Sequence, residues 1–216
     1  MTSRERVLSA SRGGQVDSTP TLSWLVMDSN AEANVVDPVT VTKGNSGQVL
    51  LAEVSNPFGL ALRKGIDLNR ALKDDPSVAS EVLDGLVEEV RNQISLSLGQ
   101  GADGIFYRLH GACPKHCSPM QYGGHYLERD RELLGEVSET FLNVLFVAGN
   151  DELYIDFVSD LPAHVFAWDS EKTQVSADEV RAMRKGAVAS ADPSSEFKLQ
   201  IGLQNYLENL ELPNIG

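Results

Sequence analysis

The segment GADGIFYRLHGACPKHCSPMQYGGHY, residues 101–126, holds three of the four histidines of the chain and both of its cysteines. Within it His110, Cys113, His116 and Cys117 put four soft or borderline ligands inside eight residues. Zinc or copper can take three such groups with water in the fourth position, and Cys113, His116 and Cys117 form the candidate set. The spacing fits no standard zinc module, and the adjacent side chains of His116 and Cys117 point apart in extended backbone. The competing reading needs no cofactor: the two thiols flank a turn at Pro114, and His116 is solvated. His110 stands apart from this set. It falls near the end of an apolar run, and an imidazole there can serve as acid or base near neutral pH, or simply be a satisfied structural histidine.

Other residues could join His110. Arg63 and Arg108 carry planar guanidinium forks suited to a carboxylate. Asn56 follows the run QVLLAEVS, Asn150 follows FVAG, and Asp169 follows VFAW, so all three fall at strand ends, where a polar side chain meets a ligand or caps a helix. His110 and Asp169 are the candidate catalytic pair; Asn56, Arg63, Arg108 and Asn150 are the candidate substrate contacts. His125 reads as packing, and His164 as a strand start on the opposite face.

The elements that must position these groups alternate. Thr2 with Glu5 forms a capping box before RERVLSAS, a short helix, and TLSWLVM follows as a strand. Residues 28–47 read as a polar connection with room for a short hairpin. Beyond them, QVLLAEVS is a strand, and Asp75-Pro76 opens a helix in which Val82, Leu83, Leu86, Val90, Ile94 and Leu98 recur at helical spacing until Gly99. GIFYRLH is a strand, and Ser118 with Gln121 caps a helix reaching about residue 140. LNVLFVAG is a strand, DELYIDFVSD a helix and AHVFAW a strand. Ser176 with Glu179 caps the next helix, GAVAS is a strand, and SEFKLQIGLQNYLENL reads as helical. Strand-helix alternation with short connections implies right-handed parallel βα units. The glycine-rich phosphate loops of nucleotide-binding sheets are absent, which favours a (β/α) barrel. Five or six units are visible, and a full barrel takes ~250 residues, so the expectation is an incomplete barrel.

The chain has 216 residues and a formal net charge of −13, which opposes general nucleic-acid binding. No apolar run approaches the ~20 residues of a membrane span, and the first residues show no apolar signal core. Two cysteines without a disulfide framework fit a cytoplasmic location.

Three stretches carry a family resemblance. MTSRERVLSASRGGQVDSTPTLSWL resembles the opening of the uroporphyrinogen decarboxylase-like superfamily. SNPFGLALRKGIDLNRALKDDPSVASEVLDGLVEEVRNQI is similar to its Pro-Phe segment and Asp-Pro helix. GADGIF with HYLERDRELLGEV is similar to its Gly-Ala-Asp strand and the helix behind it. The resemblance implies a shortened TIM-type barrel: residues 1–27 as the first helix and strand, 28–47 as a connection, and 48–216 as the remaining units. It implies, nominally, a carboxy-lyase of porphyrin biosynthesis acting on a tetrapyrrole-like, anionic ligand. The alternatives are a corrinoid-dependent methyltransferase-like protein or a non-catalytic half-barrel subunit.

Neither chemistry is matched residue by residue. The decarboxylases' arginine motif after the first strand is missing, Arg63 stands at their tyrosine position and His110 at their serine position. The methyltransferases' first two zinc ligands correspond to Phe146 and Ala148, which cannot bind zinc. An unclosed barrel would also leave edge strands, TLSWLVM and GAVAS, exposed, so a homodimer or a complementary barrel partner is expected.

Overall fold

Apolar runs of four to seven residues become parallel strands in the computed structural model of this chain, which describes residues 1–25, 27–41, 47–149 and 152–202. In chain order the elements are α1 (Ser3–Ser11), β1 (Thr21–Trp24), β2 (Ala33–Val36), a 3-10 turn (Pro38–Thr40), β3 (Val49–Ser55), α2 (Pro57–Arg63), α3 (Leu68–Asp74), α4 (Pro76–Gln100), β4 (Gly104–Leu109), α5 (Pro119–His125), α6 (Leu127–Glu136), β5 (Leu142–Val147), α7 (Ile155–Val158), β6 (Val165–Trp168), α8 (Ser170–Thr173), α9 (Ala177–Met183), β7 (Ala187–Ser190) and β8 (Phe197–Ile201).

The barrel closes. Each strand pairs in parallel with the next, and β8 returns to β1 with Thr21 opposite Lys198 and Trp24 opposite Ile201. This bears out the parallel barrel and corrects its expected incompleteness: the described residues form a closed ring of eight strands, where five or six units were expected. Two were misread. β2 lies inside the polar stretch 28–47, where ANVV is too short to show a period. β8 lies where a helix was expected. There Phe197 and Leu199 are buried while Lys198 and Gln200 are exposed, the alternation of a strand with one wet face. The rest of that expected helix, from residue 203, lies outside the described residues. Closure also removes the two edges on which the expected partner rested, because β1 and β7 both pair with β8.

Register decides what fills the interior. Trp24, Phe106 and Phe146 point inward and meet with ring centroids 4.7–5.5 Å apart. Alanines at Ala33, Ala167, Ala187 and Ala189 on β2, β6 and β7 share the interior with these rings from β1, β4 and β5, so small and large side chains fill it together. Val7 and Ala10 of α1 join this cluster, and Arg4 pairs with Asp103 just before β4. Helix α1 therefore plugs the N-terminal end.

Helices pack mainly against β3–β7, where a second core cluster lies between sheet and helices. Apart from Val36, the outward residues of the remaining strands are polar: Thr21 and Ser23, Asn34, Lys198 and Gln200. The capping boxes at Thr2, Ser118 and Ser176 are all formed. Helix α4 continues through Gly99 to Gln100 and stops at Gly101, whose φ of 109° suits only glycine. The helix expected from Ser118 to about residue 140 is instead two, α5 and α6, meeting at Tyr126 just after Gly123-Gly124. No helix among the described residues is long and apolar enough to cross a membrane.

Candidate functional site at the barrel mouth

Above the aromatic layer the inward positions turn polar. Glu53 and Ser55 on β3 share the inner face with Arg108 on β4, since Glu53 pairs with Phe106 and Ser55 with Arg108. Arg108 is 4% exposed and donates through Nη1 to Glu53 Oε1 at 3.0 Å, while Trp24 Nε1 donates to Glu53 Oε2 at 2.9 Å. The guanidinium also lies over the Trp24 ring, 5.3 Å from its centroid. One carboxylate thus anchors both a buried cation and the indole that floors the mouth.

A cavity of about 410 Å³ opens there, lined by Asp37, Glu53, Ser55, Arg63, Arg108 and His110 together with Gln93 and Gln100 of α4. His110 follows the last residue of β4. Burial, and secondarily the charge of Arg108, holds its imidazole well below the usual histidine range, so it is neutral at physiological pH. Neither ring nitrogen is hydrogen-bonded to a described residue. Arg63 ends α2, is exposed, and makes no ion pair among the described residues.

The structure therefore brings together three of the sequence candidates: Arg63, Arg108 and His110. It does not bring Asp169 to them. That carboxylate caps α8 by accepting from the backbone of Glu171 and Lys172, and it is absent from the cavity lining. Asn56 is enclosed, and its amide is committed on every side: Oδ1 accepts from His110 N at 3.1 Å and Gly59 N at 2.9 Å, and Nδ2 donates to His110 O at 3.0 Å and Asp130 Oδ2 at 3.3 Å. It builds the rim and has no group left for a ligand. Asn150 lies outside the described residues.

The metal set is corrected. No three His, Cys, Asp or Glu side chains among the described residues converge as metal ligands. Cys117 donates to Gly111 O at 2.9 Å, and burial pushes its thiol up to about 12, the reverse of a thiolate site. Burial raises Cys113 too. The His116 ring packs edge-on against Phe58, with centroids 5.7 Å apart, and lines a separate hollow of about 360 Å³ between α2, α3 and the β4–α5 loop. The positions that correspond to zinc ligands in the resembling methyltransferases, Phe146 and Ala148, are buried apolar members of the barrel interior. Neither side chain carries an atom that could ligate zinc.

Glu53, Ser55 and Trp24 were not singled out from sequence. Their signal was parity: in VLLAEVS and GIFYRL the polar residues Glu53, Ser55 and Arg108 fall in the same alternate positions as inward Leu51 and Phe106. Asp130 was missed as well. It is buried on α6, accepts from Tyr107 Oη at 2.7 Å and Tyr122 Oη at 2.6 Å, and burial raises it to about 6 despite those bonds.

No protein-family model matches this chain, and no curated protein matches it. Among solved structures, a methyltransferase from Methanosarcina mazei superposes with a TM-score of 0.72, over 98% of this chain and 97% of that one, at 12% identity. The two chains share one fold. That likeness reaches the closed barrel and its strand order, while the cavity residues described above are read from this chain alone.

Proposed function

We propose that this protein is a methyltransferase-like barrel enzyme that binds a small acceptor molecule bearing an acidic group at its mouth. The cluster of Arg63, Arg108 and His110 in one cavity, at the strand ends where barrels of this type do chemistry, carries the reading. The fold shared with a methyltransferase and the compatible superfamily resemblance support it. Arg63, without an ion pair among the described residues, receives the acid group. Arg108, already balanced by Glu53, stiffens the floor. Neutral His110 takes the proton of the acceptor's X–H, and the electron pair left on that atom forms its bond to the methyl carbon. A corrinoid-type donor would supply the methyl group, and the residues here act only on the acceptor.

A carboxy-lyase for a tetrapyrrole draws less support. The cavity lies at the lower end of the ~300–1,000 Å³ typical of ligand sites, and Asp37 and Glu53 would face a polyanion. The test uses 3-mercaptopropionate, a short thiol with one carboxylate. Calorimetric titration should show binding that weakens about tenfold in Arg63→Ala, the loss of roughly one charge-assisted contact. Mass spectrometry after incubation with methylcobalamin should show S-methylation that depends on Arg63 and His110. No binding and no product would refute the reading, and conversion of uroporphyrinogen to coproporphyrinogen would replace it with the lyase.

A further inference from the structure

Asp130 is a carboxyl group enclosed behind the barrel wall, and the chemistry at the mouth makes no direct use of it. Three donors converge on it: Tyr107 Oη on Oδ1 at 2.7 Å, and Tyr122 Oη and Asn56 Nδ2 on Oδ2 at 2.6 and 3.3 Å. An ionised carboxylate accepts from all three. A neutral acid carries a hydrogen of its own and must displace one of them or turn a phenol around.

Asn56 connects this group to the cavity. Its Nδ2 serves two acceptors, Asp130 Oδ2 and His110 O, and its Oδ1 serves two donors, the N–H groups of His110 and Gly59. A half-turn of the amide would set oxygen against two acceptors and NH2 against two donors, so all four bonds would be lost together. Asp130 supplies one of the two acceptors that decide which way the amide faces. The His110 ring, for its part, lies against the first turn of α2. A β-carbon on Gly59 would come within 2.5 Å of His110 Cδ2, so the imidazole has no slack toward that helix.

We propose that Asp130 is a positioning residue for the barrel mouth: by orienting the Asn56 amide it holds both the N–H and the carbonyl of His110, and so aims the imidazole into the cavity. This role rests on the reading of that cavity as a ligand site. It assigns a task to a buried polar cluster that joins the residue after β3 to β4, α5 and α6. Packing alone would be served more cheaply by an apolar residue, because a carboxyl group without its partners costs several kcal/mol to enclose.

The experiment follows the histidine ring nitrogens by NMR in 15N-histidine-labelled protein, the His110 signals being those that vanish in His110→Gln. In Asp130→Asn, which keeps the shape but brings an NH2 group among three donors, the His110 signals shift by more than their line width. Those of the remote His164 stay in place, and affinity for 3-mercaptopropionate falls about tenfold. A purely structural Asp130 would change the melting temperature and leave the His110 signals superimposed on wild type, and that result overturns the proposal. Should Asp130→Asn fail to fold, Tyr122→Phe removes one donor of the three and gives a smaller His110 shift; unmoved signals there overturn it equally. Titrating the wild-type protein with the same thiol separates the two ideas. If His110 ignores the thiol in wild type yet moves in Asp130→Asn, the functional reading fails and the positioning role stands. If His110 responds in wild type but is indifferent to position 130, only the positioning role fails.

Discussion

Arg108 and Glu53 meet inside the barrel with Nη1 3.0 Å from Oε1, and the second oxygen of Glu53 is taken by the indole N–H of Trp24. Breaking one half of an enclosed ion pair strands the other half. Glu53→Gln should therefore destabilise the protein by roughly 3 kcal/mol, at the lower end for buried pairs because Glu53 keeps some contact with solvent. Urea denaturation measures it. Replacing both residues, as Glu53→Gln with Arg108→Met, should recover much of that loss, and a double variant no better than the single one would contradict the account.

Gly59 is the second test of how tightly the mouth is built. Its backbone is ordinary helix, so alanine would normally stabilise it by up to ~1 kcal/mol. Here the added carbon meets His110 Cδ2 at 2.5 Å and Asn56 Oδ1 at 3.1 Å. Gly59→Ala should instead destabilise by about 1–3 kcal/mol and weaken ligand binding, since overpacking a fixed ring forces the rim to shift. Thermal melts and calorimetry on the one variant read both effects.

Stability should fall as the solution is made acidic. His110, His116 and His164 are each held below the ordinary histidine value of 6.5, chiefly by burial. Below that pH the unfolded chain binds more protons than the native one, so their contribution is complete above 6.5 and is lost as pH drops. Asp130 works in the opposite sense. Its raised value, about 6 against 3.8, makes the native state bind the extra proton between those limits, so acidification through this window favours the fold. Denaturation at pH 7 and pH 5 should show a smaller acid loss in His110→Gln than in wild type, and a larger one in Asp130→Asn.

The closing strand offers a fourth measurement. Phe197 is buried in the barrel interior beside Ala189, its register partner on β7. Phe197→Ala should lower stability by about 3–5 kcal/mol, the range for deleting a buried aromatic ring. Gln200→Ala, on the exposed face of the same strand, should stay within about 0.5 kcal/mol of wild type. Equal effects at the two positions would mean that β8 does not close the ring.

Six of the strands were legible because their apolar runs are bounded by glycine, proline or capping residues, and the long helix was legible from its period. β2 was not: four residues inside a polar stretch owe their conformation to pairing with β1 and β3. β8 was misread because FKLQI runs into a sequence with leucines at helical spacing, and the two-residue alternation of Phe197, Leu199 and Ile201 was overlooked. At the site, Arg63, Arg108 and His110 were found from residue type and strand position. Asp130 could not be, since the groups that give it meaning, Asn56, Tyr107 and Tyr122, come from three other elements. The cysteines misled for the complementary reason: ligand chemistry is visible in a sequence, while burial of the thiol is not.

The pairing of β1 with β8 carries a cost in time. Thr21 and Lys198 lie almost the whole described chain apart, so the ring cannot shut until nearly every residue of it has been made. During synthesis β1 waits with one side unsatisfied, and the loop to be closed at the final step is the longest the barrel contains. Refolding of a Trp168→Phe variant from urea should accordingly show a late phase in which the fluorescence of Trp24, whose strand pairs with β8, follows the bulk of helix formation.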